Sequence, residues 1–260
     1  MSTILFHEIV FGPIHSRRLG SSLGMNLLPY DGKLCSFDCI YCECGYNKDF
    51  RTKTKLPDRQ NVKAALEDKL LQLQRESINI DVITFAGNGE PTIHPQFAEI
   101  IDDTIELRDK YYPSAKISVL SNAMHTGKKR VFEALRKVDN NILKLDSAII
   151  DTVRLIDRPN SPEYTIEKQI ELFKQFNGNF IMQTMFVKGS HNGTVVDNTT
   201  EEEVSAWLEA VRASRPKEVM IYTIDRETPE KNLEKVSFED LKKIADRVEQ
   251  QLGIKVSVSG

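Results

Sequence analysis

Residues 80–105 read IDVITFAGNGEPTIHPQFAEIIDDTI, and the repeat that builds the fold is complete within them. The first seven, IDVITFA, form a β-branched and aromatic run of strand length. Gly87, Gly89 and Pro91 then break the regular chain. Beyond Pro95 the apolar spacing changes, and Phe97, Ile100, Ile101 and Ile105 share one face of a 3.6-residue period. Pro95 suits the opening turn of that helix. A strand, a turn and an amphipathic helix make one βα unit, and strands joined through such helices lie parallel.

Outward from this stretch the alternation recurs. Strand runs stand at 23–28 (LGMNLL), 116–121 (KISVLS), 141–146 (NILKLD), 179–187 (NFIMQTMFV) and 218–224 (EVMIYTI), with a last short one at 254–258 (IKVSV). One helix carries Val62, Ala65, Leu66, Leu70 and Leu73 on a single face, with Asn61 placed to cap it. Thr200 and Glu203 form a capping box ahead of Val204, Trp207, Leu208 and Val211. Ser237 is placed to cap the helix carrying Leu241, Ile244, Ala245 and Val248. Six βα units fall short of the eight that close a full barrel, and residues 29–60 form a long loop without periodicity. The expected fold is therefore α/β, a partial (βα)6 TIM-like barrel over 1–260 as a single domain, curved but unclosed. Parallel topology places chemistry in the loops after the strands.

Composition narrows the function classes. The chain has 260 residues, 40% hydrophobic and 28% charged, as in soluble globular proteins. A formal charge of −3 gives no footprint for non-specific nucleic-acid binding, though it leaves room for a local basic groove. No apolar run approaches the ~20 residues that span a bilayer. The start, MSTILFHEIVFGP, lacks the basic opening and small-residue cleavage site of a secretory signal, so a cytoplasmic protein without a membrane partner is expected. Of the four cysteines, three lie in the eight residues CSFDCIYC, a poor disulfide framework. Metal or redox chemistry is the alternative.

Cys35, Cys39 and Cys42 occupy the loop after the first of these strands, where three thiolates can converge on one soft metal centre. Three ligands are one short of a closed zinc site and one short of saturating a four-iron cluster. Cys44 is too close to Cys42 to complete a tetrahedron without strain, and His7, His15, His94, His125 and His191 are scattered. An accident, a zinc clip and an open cluster all fit the spacing alone.

The Cys-x3-Cys-x2-Cys run, with Tyr41 just before its last cysteine, resembles the signature of the radical S-adenosylmethionine (SAM) superfamily. The turn Ala86-Gly87-Asn88-Gly89-Glu90-Pro91 resembles that family's Gly-Gly-Glu segment, with Asn88 in place of the second glycine. FGPIHSRRLGSSLGMNLLP at 11–29, GNGEPTIHP and the DRP segment at 157–159 resemble one branch. These are small iron–sulfur oxidoreductases related to the wyosine-forming tRNA-modifying enzymes. The likeness covers most of 11–226 and leaves 227–260 as a C-terminal helix and short strand.

The resemblance implies a [4Fe–4S] cluster held by Cys35, Cys39 and Cys42, with SAM chelated at the fourth iron. An electron entering the sulfonium would release methionine and a 5′-deoxyadenosyl radical that abstracts a substrate hydrogen. Gly87, Asn88, Gly89 and Glu90 would meet the methionine amino group, and Tyr41 would pack on the adenine. Ser121, Asn122 and Asp146, at strand ends, suit ribose or carboxylate contacts as well as they suit turns. Gln183, inside an apolar strand, needs a polar partner. Arg17, Arg18, Arg158 and Arg226 fit either an anion clamp or surface ion pairs. His94 reads as a helix-start residue, and Lys128, Lys129 and Arg130 as a solvated first turn. The wyosine-forming enzymes carry further N-terminal cysteines, whereas none precedes Cys35 here, which puts that reaction in doubt. The implied partners are a separate low-potential donor of flavodoxin or ferredoxin type and an unidentified substrate, tRNA among the possibilities. The alternatives are a tRNA-base-modifying enzyme of wyosine type within the same family, a non-catalytic iron–sulfur electron-transfer or binding protein, and a zinc-stabilised RNA-binding module.

Overall fold

The computed structural model describes residues 4–16, 18–49 and 52–260. In chain order its elements are β1 (Val10–Ser16), β2 (Gly20–Met25), α1 (Arg59–Arg75), β3 (Val82–Phe85), α2 (Phe97–Tyr111), β4 (Lys116–Ser121), α3 (Lys129–Leu135), β5 (Asn140–Lys144) and α4 (Ile150–Ile156). There follow α5 (Ile166–Lys174), β6 (Ile181–Met185), β7 (Val187–His191), β8 (Thr194–Asp197), α6 (Glu201–Ser214), β9 (Glu218–Tyr222), β10 (Leu233–Lys235), α7 (Phe238–Leu252) and β11 (Val256–Ser259).

Eight strands form one sheet in the order β1-β2-β3-β4-β5-β6-β9-β11. Every neighbouring pair is parallel except β1–β2 at one edge. Among the described residues nothing joins β1 to β11, so the curled sheet is the expected half-barrel with an extra strand at each end. Helices cover one face and share a contiguous apolar core with it. On the other face Ile142, Ile181 and Met220 form a small cluster that Leu19, from the β1–β2 turn, packs against.

The local departures have physical causes. Asp58, not Asn61, caps α1, because its carboxylate accepts the Asn61 N–H at 2.9 Å. Pro95 precedes the Gln96 cap of α2, whereas Pro91 opens a one-turn 3-10 helix capped by Glu90. Thr200 and Ser237 cap α6 and α7 as the sequence predicts. The apolar run 179–187 conceals a break after Met185. Asn198 accepts the Val187 N–H at 2.8 Å and donates to the Met185 carbonyl at 2.8 Å, turning the chain into the β7–β8 hairpin. β10 joins that hairpin beside Gly189, where a Cβ would stand 2.0 Å from the Asn232 carbonyl and φ is +124°. No helix is long and apolar enough to cross a membrane among the described residues.

Candidate metal and cofactor site

The loop after β2 arches over the C-terminal ends of the strands. At one end Leu34 N–H donates to the Asn88 carbonyl at 2.9 Å, and Glu90 N–H to the Leu34 carbonyl at 3.1 Å. A Cβ on Gly89 would stand 2.0 Å from the Leu34 oxygen, so this crossing requires glycine. At the other end the loop pairs with the DRP segment and its flanks: Asp38 N–H reaches the Asp157 carbonyl at 3.0 Å, and Ile40 N–H the Ile156 carbonyl at 2.9 Å. Asn47 fixes the middle, accepting the Cys35 N–H at 3.0 Å and donating to the Cys35 and Phe37 carbonyls, both at 3.2 Å. The three cysteines are thus presented by a backbone that is pinned on three sides.

A buried ammonium lies beneath them. Lys33 is 3% exposed, donates to the Gly45 carbonyl at 2.9 Å and pairs with Asp38 at 3.4 Å. Burial alone would pull its pKa down, but Cys42, Cys39, Cys35 and Asp38 together hold it well above the usual lysine value. The neighbouring Cys44 thiol and the Lys33 ammonium overcome burial to bring Cys42 below an ordinary thiol. Cys44 keeps its proton correspondingly longer; its thiol sits between the Cys42 sulfur and the Gly87 carbonyl at 3.6 Å. Burial pushes Cys35 up to about 12, with the Glu90 charge adding to it, and raises Cys39 against the pull of Lys144.

The donor set fits a thiolate-held cluster. A single zinc would require sulfurs roughly 3.8 Å apart, from Zn–S bonds of about 2.3 Å. Among the described residues no three His, Cys, Asp or Glu side chains meet at one-ion spacing. A four-iron cube takes each thiolate on a separate iron, and three negative ligands call for cationic and N–H partners, here Lys33 and the Phe37 and Asn122 N–H groups that donate to Cys35 Sγ at 3.4 and 3.5 Å.

The sequence-predicted strand-end residues fall into three groups. Glu90, Ser121 and Asn122 join the cysteines. The buried Glu90 carboxylate accepts Thr92 N–H at 3.1 Å, Thr92 Oγ1 at 2.5 Å, Ser121 Oγ at 2.9 Å and Asn122 N–H at 2.7 Å. Burial raises its pKa against those four donors. Asn122 then donates to Ser36 Oγ at 2.9 Å and to Cys35 Sγ at 3.5 Å. A continuous hydrogen-bonded path therefore runs from Glu90 to a cysteine sulfur.

Tyr41 and Asp146 form the second group. The Tyr41 hydroxyl bonds the Asp146 carboxylate and Lys144, and Asp146 accepts Met185 N–H at 2.9 Å. Lys144 also lies 2.7 Å from Asp157 Oδ1, an ion pair rather than an aligned hydrogen bond. Burial and the neighbouring Asp146 raise the Asp157 carboxyl, while these two acids hold Lys144 charged against its own burial. Tyr41, Met185, Tyr222 and Ile224 line a cavity of about 70 Å³ beside this network.

Asn88 stands apart. Its side chain is fully buried, donates to the Phe6 and Pro29 carbonyls at 2.8 Å each, and accepts the Phe6 N–H at 2.8 Å. The asparagine at this glycine position thus fastens the N-terminal segment, and only its backbone faces the cysteine loop. Asn88→Gly is expected to lower stability by at least about 2 kcal/mol, since Phe6 N–H and the Pro29 carbonyl would lose buried partners. A denaturation midpoint that does not move would refute the anchoring role.

The remaining candidates lie further out. Arg226 pairs with Glu43 at 2.7 Å, Arg158 stacks on Tyr46 at 5.2 Å, and Arg18 on Tyr222 at 4.4 Å. Arg17 lies outside the described residues. Gln183 is buried on β6, opposite Lys144. His94 bonds the Pro57 carbonyl at 2.7 Å and accepts Gln96 N–H at 3.1 Å, as a helix-start residue does. Sequence reasoning missed Lys33, Asn47, Lys144 and Asp157. The available signal was a lysine inside the parallel strand NILKLD, since such strands are buried on both faces.

The fold is thus a half-barrel with a three-cysteine loop over its strand ends. Residues 31–211 match the family model of the radical SAM superfamily, and the chain belongs to it. Among curated relatives it is 30% identical over 257 residues to a protein of Brachyspira hyodysenteriae named GTPase Obg. That match takes in 96% of this chain but only 35% of the relative, so the chain spans about a third of its length. A Helicobacter pylori protein named UPF0026 is 29% identical over 84% of this chain and 67% of its own. Among solved structures, Streptococcus suis SuiB bound to its precursor peptide SuiA superposes with a TM-score of 0.64 at 15% identity, covering 90% of this chain and 49% of SuiB. TYW1 with a lysine–pyruvate adduct gives 0.59 at 14%, covering 88% and 73%. Likeness at these identities establishes the fold.

Proposed function

We propose that this chain binds a [4Fe–4S] cluster through Cys35, Cys39 and Cys42 and cleaves SAM reductively, as an oxidoreductase that abstracts hydrogen from a substrate. The observation that carries the reading is the path from the Glu90 carboxylate through Asn122 to Cys35, which joins the two motif loops into one site. When bound, the cluster and SAM supply one-electron cleavage of a C–S bond and a 5′-deoxyadenosyl radical. The protein's part is to bind, orient and exclude water. The cysteine loop covers the strand ends, and Glu90 Oε1 takes three of its four donors, so Oε2, which accepts only Asn122 N–H, would keep a lone pair for an ammonium group. The Gly87 carbonyl already accepts Gly89 N–H at 2.8 Å and the Cys44 thiol at 3.6 Å, so of the two glycine carbonyls Gly89 would meet the methionine amino group. Ser121 and Asn122 would serve the cofactor's polar end, and Asp146 its ribose. Tyr41 would pack on the purine.

The proposal includes a single unit over 1–260 working in the cytoplasm, and the contiguous core supports the first part. The substrate is left to experiment, because TYW1 and SuiB resemble this chain in fold at 14% and 15% identity. Anaerobic reconstitution with iron and sulfide, followed by SAM and dithionite, tests the reading. Formation of 5′-deoxyadenosine is expected. A full cluster with no such product would leave an electron-transfer protein instead, and stoichiometric zinc after anaerobic expression would favour the zinc-stabilised RNA-binding module.

A further inference from the structure

A cleft of about 700 Å³ opens on the outer side of the cysteine loop, lined among others by Lys33, Cys35, Lys48, Arg154, Arg158 and Asn160. Among the described residues its only carboxylate is Asp38, which already pairs with Lys33 at the floor. Lys48 and Arg158 flank the Tyr46 ring at 5.4 and 5.2 Å, and neither forms an ion pair among the described residues. Arg154 meets Asp151 only at 3.7 Å, with both side chains largely in solvent. Two rim cations, Lys48 and Arg158, are therefore without an ion pair among the described residues, and a third, Arg154, has one solvent-exposed partner, on a chain whose formal charge is −3.

We infer that this cleft docks the electron donor, and that the donor is an acidic one-electron carrier protein. The inference rests on the proposed function and adds the partner's surface to it. What the cleft touches decides between occupants. It reaches Cys35, yet none of Tyr41, Gly87, Glu90, Ser121, Asn122 or Asp146 lines it. A substrate seated there would be separated by the cysteine loop from the strand-end residues where a hydrogen must be taken. A donor needs no such contact. It has only to come close to a cluster ligand, and one electron leaves the donor for the cluster with no bond made or broken. A polar, charge-lined patch of this kind suits the small, transient interfaces of electron-transfer encounters. Complementary charge there raises the association rate and weakens with salt.

The test compares wild type with Lys48→Glu/Arg154→Glu, both exposed rim changes, and with Lys48→Arg/Arg154→Lys. Each is assayed for 5′-deoxyadenosine with dithionite, which needs no docking, and with enzymatically reduced acidic flavodoxin. Binding of fluorescently labelled flavodoxin is measured separately by anisotropy, without SAM. The charge-reversed protein should keep its dithionite rate while its flavodoxin-driven rate and affinity fall by roughly tenfold. The conservative pair should restore both, and wild-type binding should weaken with added salt. Unchanged flavodoxin binding and rate in the charge-reversed protein would overturn the inference. Loss of bulk tRNA binding in that protein, with flavodoxin turnover intact, would overturn it in favour of an RNA-binding cleft. No dithionite-driven product in any form would instead count against the proposed function, and the anisotropy would still report on the cleft.

Discussion

Cys39→Ala should strip the chain of its cluster and of all SAM cleavage, whereas Cys44→Ala should keep the cluster. Cys39 lies at the centre of the triad and is buried, so with its sulfur gone two thiolates remain and water cannot readily replace the third. Cys44 cannot stand in for it. Its thiol donates to the Gly87 carbonyl at 3.6 Å, on the far side of Cys42 in the chain. Its loss removes a polar neighbour of a ligand sulfur, the kind of outer contact whose removal changes metal affinity or activity by roughly 10–100-fold rather than abolishing it. Lys33 remains on the same sulfur and should hold the effect of Cys44→Ala to the lower end of that range. Iron and sulfide per chain after anaerobic reconstitution, with the EPR signal of the reduced protein, separate the two variants. A Cys44→Ala protein without iron would show the ligand assignment to be wrong.

Much of this site was legible because its signals are local. The βα period stands out wherever a strand run and a helix face follow one another, as in 80–105, and the cysteine spacing needs no tertiary knowledge. Glu90 and Asn122 lie at the ends of readable strands. What stayed hidden depends on residues far apart in the chain. Asn88 reads as a turn residue until Phe6, 82 positions away, takes its hydrogen bonds. The β7–β8 hairpin vanishes into a continuous apolar run because the residue that breaks it, Asn198, lies 11 positions downstream of Val187. β1 carries Gly12 and Pro13 in its middle, tolerable only because it is an edge strand. The two buried lysines are the sharpest case. Composition assigns lysine to the surface, and only the fold supplies the acids and thiols that let Lys33 and Lys144 stay charged inside.

That buried charge yields the second large effect. Lys33→Met is expected to lower the cluster's midpoint potential and to reduce cluster retention by roughly 10–100-fold. Three thiolates within one loop repel one another, and Lys33 is the cation whose charge acts on all three. Its charge also favours the thiolate form of Cys42, a ligand sulfur. Net charge and hydrogen bonds to the sulfurs are what set such potentials. A positive charge favours the more negative, reduced state, so an isosteric methionine should make reduction harder. Asp38 would not be stranded by the change, because it still accepts Asn47 N–H at 2.8 Å and is partly solvated. An EPR-monitored redox titration reads the potential, and iron loss to a chelator reads retention. Lys33→Arg, which keeps the charge, should recover more of the potential than of the retention, since the larger guanidinium does not fit a site 3% exposed. An unchanged potential in a fully loaded Lys33→Met protein would reduce Lys33 to a loop-packing residue and return the tuning of the cluster to Cys44 and the backbone.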